Sequence, residues 1–88
     1  MLAFYLAMLE EEADRARFEE LYQKYKGYMS SIAIALADDE IIAMDSVQNA
    51  FVAIAKCIDK LPVGMSAEFE RRYIRKVILN SFSSISSN

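Results

Sequence analysis

Apolar residues recur at spacings of three and four through most of this chain. From Asp14 to about Leu36, one stripe holds Phe18, Leu21, Tyr22, Tyr25, Met29, Ile32 and Leu36. That period belongs to an amphipathic helix, not to the alternation of a strand. Gly27 lies inside the stripe and marks an expected kink or close helix contact. Asp38-Asp39-Glu40 then breaks the pattern, and aspartate is a good helix N-cap, with acidic residues suited to a first turn. A second stripe, Ala43, Val47, Ala50, Phe51, Ile54 and Ile58, predicts a helix to about Lys60. Leu61-Pro62-Val63-Gly64 ends it, because proline disfavours helical geometry in its predecessor and glycine permits a turn. Ser66 is the next expected N-cap, opening a helix whose buried stripe is Phe69, Tyr73, Ile74, Val77 and Ile78. Serines compete for backbone hydrogen bonds, so this helix is expected to fade in SFSSISSN, with 84–88 as a frayed tail. The apolar run Leu2 to Leu9 predicts a short helical extension within residues 1–12 that covers part of the core. The expectation is an all-α fold, a small three- to four-helix bundle in a single domain over residues 1–88.

Composition sharpens this picture. Two glycines, one proline and a 55% apolar content over 88 residues favour helices and argue against a disordered tail. No apolar run is seen that approaches the ~20 residues of a membrane span, so no membrane association is expected. The N-terminal MLAFYLAML lacks the basic start and the cleavage site of a signal peptide. Cys57 is the single cysteine and is expected to be inert and partly buried, which makes a reducing cytoplasm the simplest compartment. Histidine is absent, so a Cys–His or Ser–His pair cannot form and a zinc site cannot be assembled. Neither catalytic residues, a metal nor a cofactor is expected. Charge is uneven: residues 1–55 carry a balance of −6 and residues 56–88 a balance of +3, which makes the C-terminal third compatible with an anionic partner.

Two surfaces stand out. On the second long helix, Asp45, Gln48, Asn49, Val52 and Lys56 fall at spacings that stack them along one side, beside Met44. Such a face suits protein recognition, though on spacing alone an ordinary solvated face is the favoured reading. On the last helix Arg71, Arg72, Arg75 and Lys76 crowd two turns as like-charged i, i+4 pairs, an arrangement that costs an isolated helix stability. Arginines held together suit phosphate, whereas Glu68 and Glu70 would make the surface a mixed one. Tyr73 among them could stack on an unpaired base or, at its helical spacing, serve the core. Met8, Met29, Met44 and Met65 read as packing residues.

The order FEELYQKYKGYM, DDEIIAMDSVQNAF, a Pro-Gly loop and FERRYIRKVILN resembles the second conserved region of bacterial RNA polymerase sigma factors, in the compact extracytoplasmic-function type. Asp45-Ser46-Val47-Gln48-Asn49-Ala50-Phe51 resembles that family's D-x-V-Q-E-x-F, and Tyr73-Ile74, Val77-Ile78 and Asn80 resemble its aromatic, aliphatic and Asn pattern. The resemblance spans residues 14–82. It implies a non-enzymatic domain that binds core RNA polymerase and the melted minus-ten element to initiate transcription. By that resemblance Asp45, Gln48, Asn49 and Val52 dock on the clamp helices of the largest polymerase subunit. Arg71, Arg72, Arg75, Lys76 and Asn80 hold the non-template single strand of promoter DNA, with the 62–67 loop near a captured base. An anti-sigma factor is a further partner of the kind the resemblance implies, and residues 2–9 suggest a homo-oligomer when the polymerase is absent.

The chain departs from the family at Asn49, where glutamate is usual, at Met44, where an acidic residue is common, and at Leu79, where arginine is frequent. The basic residues that usually follow Asn80 are replaced by Ser-Phe-Ser-Ser-Ile-Ser-Ser-Asn. DNA affinity is therefore expected below the family's norm. The competing reading is a degenerate sigma-like helical module that works through protein contacts without DNA binding.

Overall fold

Asp39 sets the register of the central helix. Its backbone is extended, and its carboxylate accepts a 2.7 Å hydrogen bond from the Ile41 amide, satisfying one of the donors that a helix start leaves open. Ser66 does the same for the last helix, its hydroxyl accepting from the Phe69 amide at 3.1 Å. Between these caps Gly64 adopts φ +79°, a left-handed conformation that glycine takes without a side-chain clash. In a computed structural model that describes residues 2–86 (the Ser86 side chain apart), the chain forms α1 (Leu2–Leu6), α2 (Glu12–Leu36), α3 (Glu40–Cys57) and α4 (Ala67–Ser86), with a single 3-10 turn at Ile58–Lys60. There is no strand among the described residues. The all-helical bundle expected from the periodicity is the fold observed.

The core is where the three long helices and α1 meet. Phe18, Leu21, Tyr25, Met29 and Ala33 come from α2, and Ala43, Ala50, Phe51, Ile54 and Ala55 from α3. Ile74 and Ile78 from α4, with Ile58 and Leu61 from the connection, close it. Tyr5, Phe18, Tyr22 and Phe51 form one aromatic cluster with ring centroids 4.8–6.3 Å apart, a spacing that adds attraction beyond burial alone. Small residues let α3 and α4 approach. Ser46 is fully buried, its hydroxyl donates to the Ile42 carbonyl at 2.9 Å, and its own carbonyl accepts from the Ser81 hydroxyl at 2.6 Å.

Several expectations are corrected here. Between Leu2 and Glu11 the chain is α-helical only at Leu2–Leu6, and this stretch is part of the core: Tyr5 and Leu9 are buried while Phe4 faces solvent. The tail does not fray at residue 84, because α4 runs on to Ser86; residues 87–88 lie outside the described residues. Tertiary packing overrides serine's low propensity here, since Ile78, Ser81, Phe82 and Ile85 continue one inward face. Gly27 lies within a continuous α2 and meets no close neighbour, as a Cβ built there finds nothing within 4 Å. Leu36 and Phe69 are exposed, and Cys57 is exposed rather than partly buried.

The expectation about apolar length is also revised. Glu40–Lys60 is 21 residues with mean hydropathy 1.4, long and apolar enough by composition to cross a membrane. Ala43, Ala50, Ile54, Ala55 and Ile58 of this segment line the bundle core, whereas Ile41 and Ile42 are exposed. Asp45, Gln48 and Asn49 interrupt its middle, where a bilayer would charge about 2.5–3.5 kcal/mol for an aspartate.

Candidate functional site

On α4 the core residues Ile74 and Ile78 fix which side faces outward. Arg71, Arg72, Arg75, Lys76 and Asn80 are all exposed, so the outer face carries the five nucleic-acid candidates together. Their surroundings differ. The Arg71 guanidinium lies over the Tyr28 ring of α2, 4.7 Å from its centroid. Arg72 donates to Glu68 one turn back at 3.0 Å, with both side chains more than three-quarters exposed. Arg75, Lys76 and Asn80 have no hydrogen-bond or ion-pair partner among the described residues.

Glu70 does not neutralise this cluster. Its carboxylate turns to α2, accepting 2.8 Å and 2.7 Å hydrogen bonds from Lys24 Nζ and Tyr25 OH. Burial alone would raise the Glu70 carboxyl; the bonds from Lys24 and Tyr25, helped by the Lys24 and Arg17 charges, outweigh burial and hold it below its ordinary value. The same hydrogen bond and charge push Lys24 up. Tyr25 is raised by burial first and by Glu70 second. One side chain thus locks α4 to α2 and leaves the outer arginines without its charge.

Tyr73 is not the aromatic of this surface. It is half-buried against the core, and burial, then the neighbouring Cys57, raises its hydroxyl. Phe69 is instead 55% exposed. It falls at i, i+3, i+7 and i+11 with Arg72, Lys76 and Asn80, a spacing that shares one face. Sequence reasoning missed it because its place in the periodic stripe is only one turn from the half-buried Tyr73. The signal available was its position in the first turn, right after the Ser66 cap. Beside α4's start, the 62–67 loop exposes Val63 at 91%. Arg17 of α2 anchors that loop with a guanidinium fork, donating to the Leu61 carbonyl at 2.6 Å and also to the Pro62 carbonyl.

The polymerase candidates separate. Asp45, Gln48 and Asn49 are exposed on α3, and Gln48 is engaged within the chain. Val52 is half-buried against the core rather than exposed beside them. Asp45 and Gln48 border a groove of ≈ 570 Å³ between α2 and α3, closed at its floor by Tyr5, Tyr22 and Phe51. Ile34, Ile41 and Met44 line it and remain 63%, 70% and 66% exposed. Met44 is therefore a surface residue, not a packing one. Among the described residues no group of three or more His, Cys, Asp and Glu side chains could hold a metal ion.

No family model, curated protein or solved structure matches the chain.

Proposed function

We propose that this chain is a sigma-type promoter-recognition domain, in which α3 docks on the clamp helices of core RNA polymerase and α4 holds the non-template strand of the melted minus-ten element. The observation that carries the reading is the outer face of α4. It presents Arg72, Arg75, Lys76 and Asn80 in one line, with exposed Phe69 at the start of that line. Basic side chains that track a phosphate backbone, joined to an aromatic that stacks on unpaired bases, suit a single strand better than a duplex. Arg72 is available despite Glu68, since an exposed i, i+4 pair is worth only a few tenths of a kcal/mol and yields to phosphate. On α3, exposed Asp45 and Asn49 beside the apolar groove suit a protein partner. The domain acts by binding, without catalytic groups of its own, in the cytoplasm where the polymerase works.

The groove also supports a second reading, a sigma-like helical module that has lost DNA binding and works through protein contacts. Fluorescence anisotropy of a short single-stranded minus-ten oligonucleotide separates the two. Three phosphate contacts give a salt slope of about −2, at ~0.7 per contact. Arg75→Ala with Lys76→Ala brings it toward about −0.7, and Phe69→Ala lowers affinity with the slope unchanged. Absence of binding at low salt, with the helical spectrum intact, rejects the promoter reading in favour of the second.

A further inference from the structure

The bundle leaves an apolar groove between α2 and α3 open. Tyr22 and Phe51 form a floor, and Ile34, Ile41 and Met44 rise from the two walls into solvent. Exposed apolar side chains gathered in one concavity mark an association surface more often than scattered ones do. The charges on the two walls point to what fills it. Lys26 stands on the α2 wall, and Glu40 and Asp45 stand on the α3 wall. All three are exposed. Lys26 approaches only the Tyr22 ring, 5.6 Å from its centroid, and among the described residues it forms no ion pair with either carboxylate across the groove. The opposite charges are thus separated by the apolar strip instead of being joined over it.

We propose that a second copy of this chain fills the groove in a two-fold pairing that sets Lys26 of each copy against Glu40 and Asp45 of the other. A two-fold contact presents the same patch from both sides, so it is favoured when a patch is its own complement. This patch is: one wall is basic, the other acidic, and the strip between is apolar. A partner of a single sign meets a like charge on one wall, which disfavours it. Rotation about the two-fold brings the basic wall of one copy to the acidic wall of the other and stacks Ile34, Ile41 and Met44 between them. The surface is small beside those of stable dimers, so the association is weak and dependent on concentration and salt. The pairing does not depend on the promoter reading.

The test is a charge exchange read by sedimentation equilibrium of the full chain at low ionic strength. Lys26→Glu alone, and Glu40→Lys with Asp45→Lys alone, each place like charges across both halves of the interface. Each variant is expected to weaken self-association by about tenfold or more, as like charges brought together oppose docking. An equimolar mixture of the two restores every opposite pair and is expected to recover the parent's association. A helical spectrum checks each fold, and Glu40→Gln with Asp45→Asn, which remove the attraction without adding lysine to a helix start, stand in if the lysine form unfolds. A parent that stays monomeric at high concentration overturns the proposal. So does a dimer that neither variant weakens, or a mixture that recovers nothing.

Discussion

Replacing Glu70 with glutamine removes one negative charge from the joint between α2 and α4 and changes little in shape. The carboxylate accepts from Lys24 Nζ at 2.8 Å and from Tyr25 OH at 2.7 Å, and the side chain is 19% exposed against 50% for Lys24. The lysine half of this joint is close to a surface ion pair, which solvent and salt screen, and contributes little. The tyrosine half is a hydrogen bond to a charged acceptor, about 1.5–3 kcal/mol, of which glutamine's own oxygen retains a part. A loss of about 1 kcal/mol at neutral pH follows, or about 4–8 °C in Tm for a domain of this size.

The pH dependence identifies the charge as the cause. Glu70 is held below its ordinary value of 4.5 in the folded protein. A carboxyl depressed on folding contributes stability that is fully present above its unfolded pKa and is lost as pH falls through the folded one. The Tm gap between parent and Glu70→Gln is therefore expected to be widest near neutral pH and to close as pH falls below the ordinary carboxylate range. Thermal melts followed by circular dichroism from neutral to acid pH measure it. A gap as wide in acid as at neutrality would show that glutamine disturbs packing, and the electrostatic account of the joint would fail.

Asp39→Ala removes the α3 cap and is expected to cost about 1 kcal/mol in a denaturant titration. Ile78→Ala, at a fully buried position, is expected to cost about 2–5 kcal/mol with an unchanged helical spectrum in the absence of denaturant. Arg17→Gln frees the Leu61 and Pro62 carbonyls, so amide exchange across the 62–67 loop is expected to quicken while that of α3 does not, and any base preference of oligonucleotide binding is expected to fall.

The helices were legible because periodicity, caps and breakers agree at each boundary. Asp39 and Ser66 cap the helices that their positions announce, and Gly64 takes the turn after Pro62. What the pattern could not show is how far the core reaches along each stripe. Leu36 and Phe69 keep the helical spacing of their buried neighbours, yet each is exposed, Leu36 as the last residue of α2 and Phe69 in the first turn of α4. Tyr5 is the reverse case. Residues 2–9 are apolar throughout, so composition alone does not distinguish Tyr5, buried within the aromatic cluster, from Phe4, which meets only the Tyr5 ring and stays exposed. The serine-rich end of α4 follows the same rule, since local propensity argued for fraying and the contact of Ser81 with α3 opposed it. The candidate site was legible as a list of exposed charges on α3 and α4. Their division into engaged and open side chains was not, because Tyr28, Lys24 and Tyr25 lie more than forty residues away in sequence.

That division explains how an acidic protein keeps a basic face. Four positive side chains within two turns repel one another on an isolated helix. In the bundle Arg71 is stabilised over the Tyr28 ring, and Arg72 is held loosely by Glu68. Glu70, the remaining acid on this stretch of α4, has its charge committed to Lys24 on α2. Had Glu70 faced outward, it would have paired with its own helix and cancelled much of the patch. Its inward bond both fastens α4 and leaves Arg75 and Lys76 open. The protein's net charge of −3 still opposes an approaching anion at long range, but at physiological ionic strength fields fade over about 8 Å. On the proposed promoter reading, a strand would therefore be attracted only once it lay along α4, where Phe69 and the Arg17-anchored loop would hold it by contact rather than by charge. Affinity built this way depends on the strand being single, because stacking on Phe69 needs a base already free of its pair.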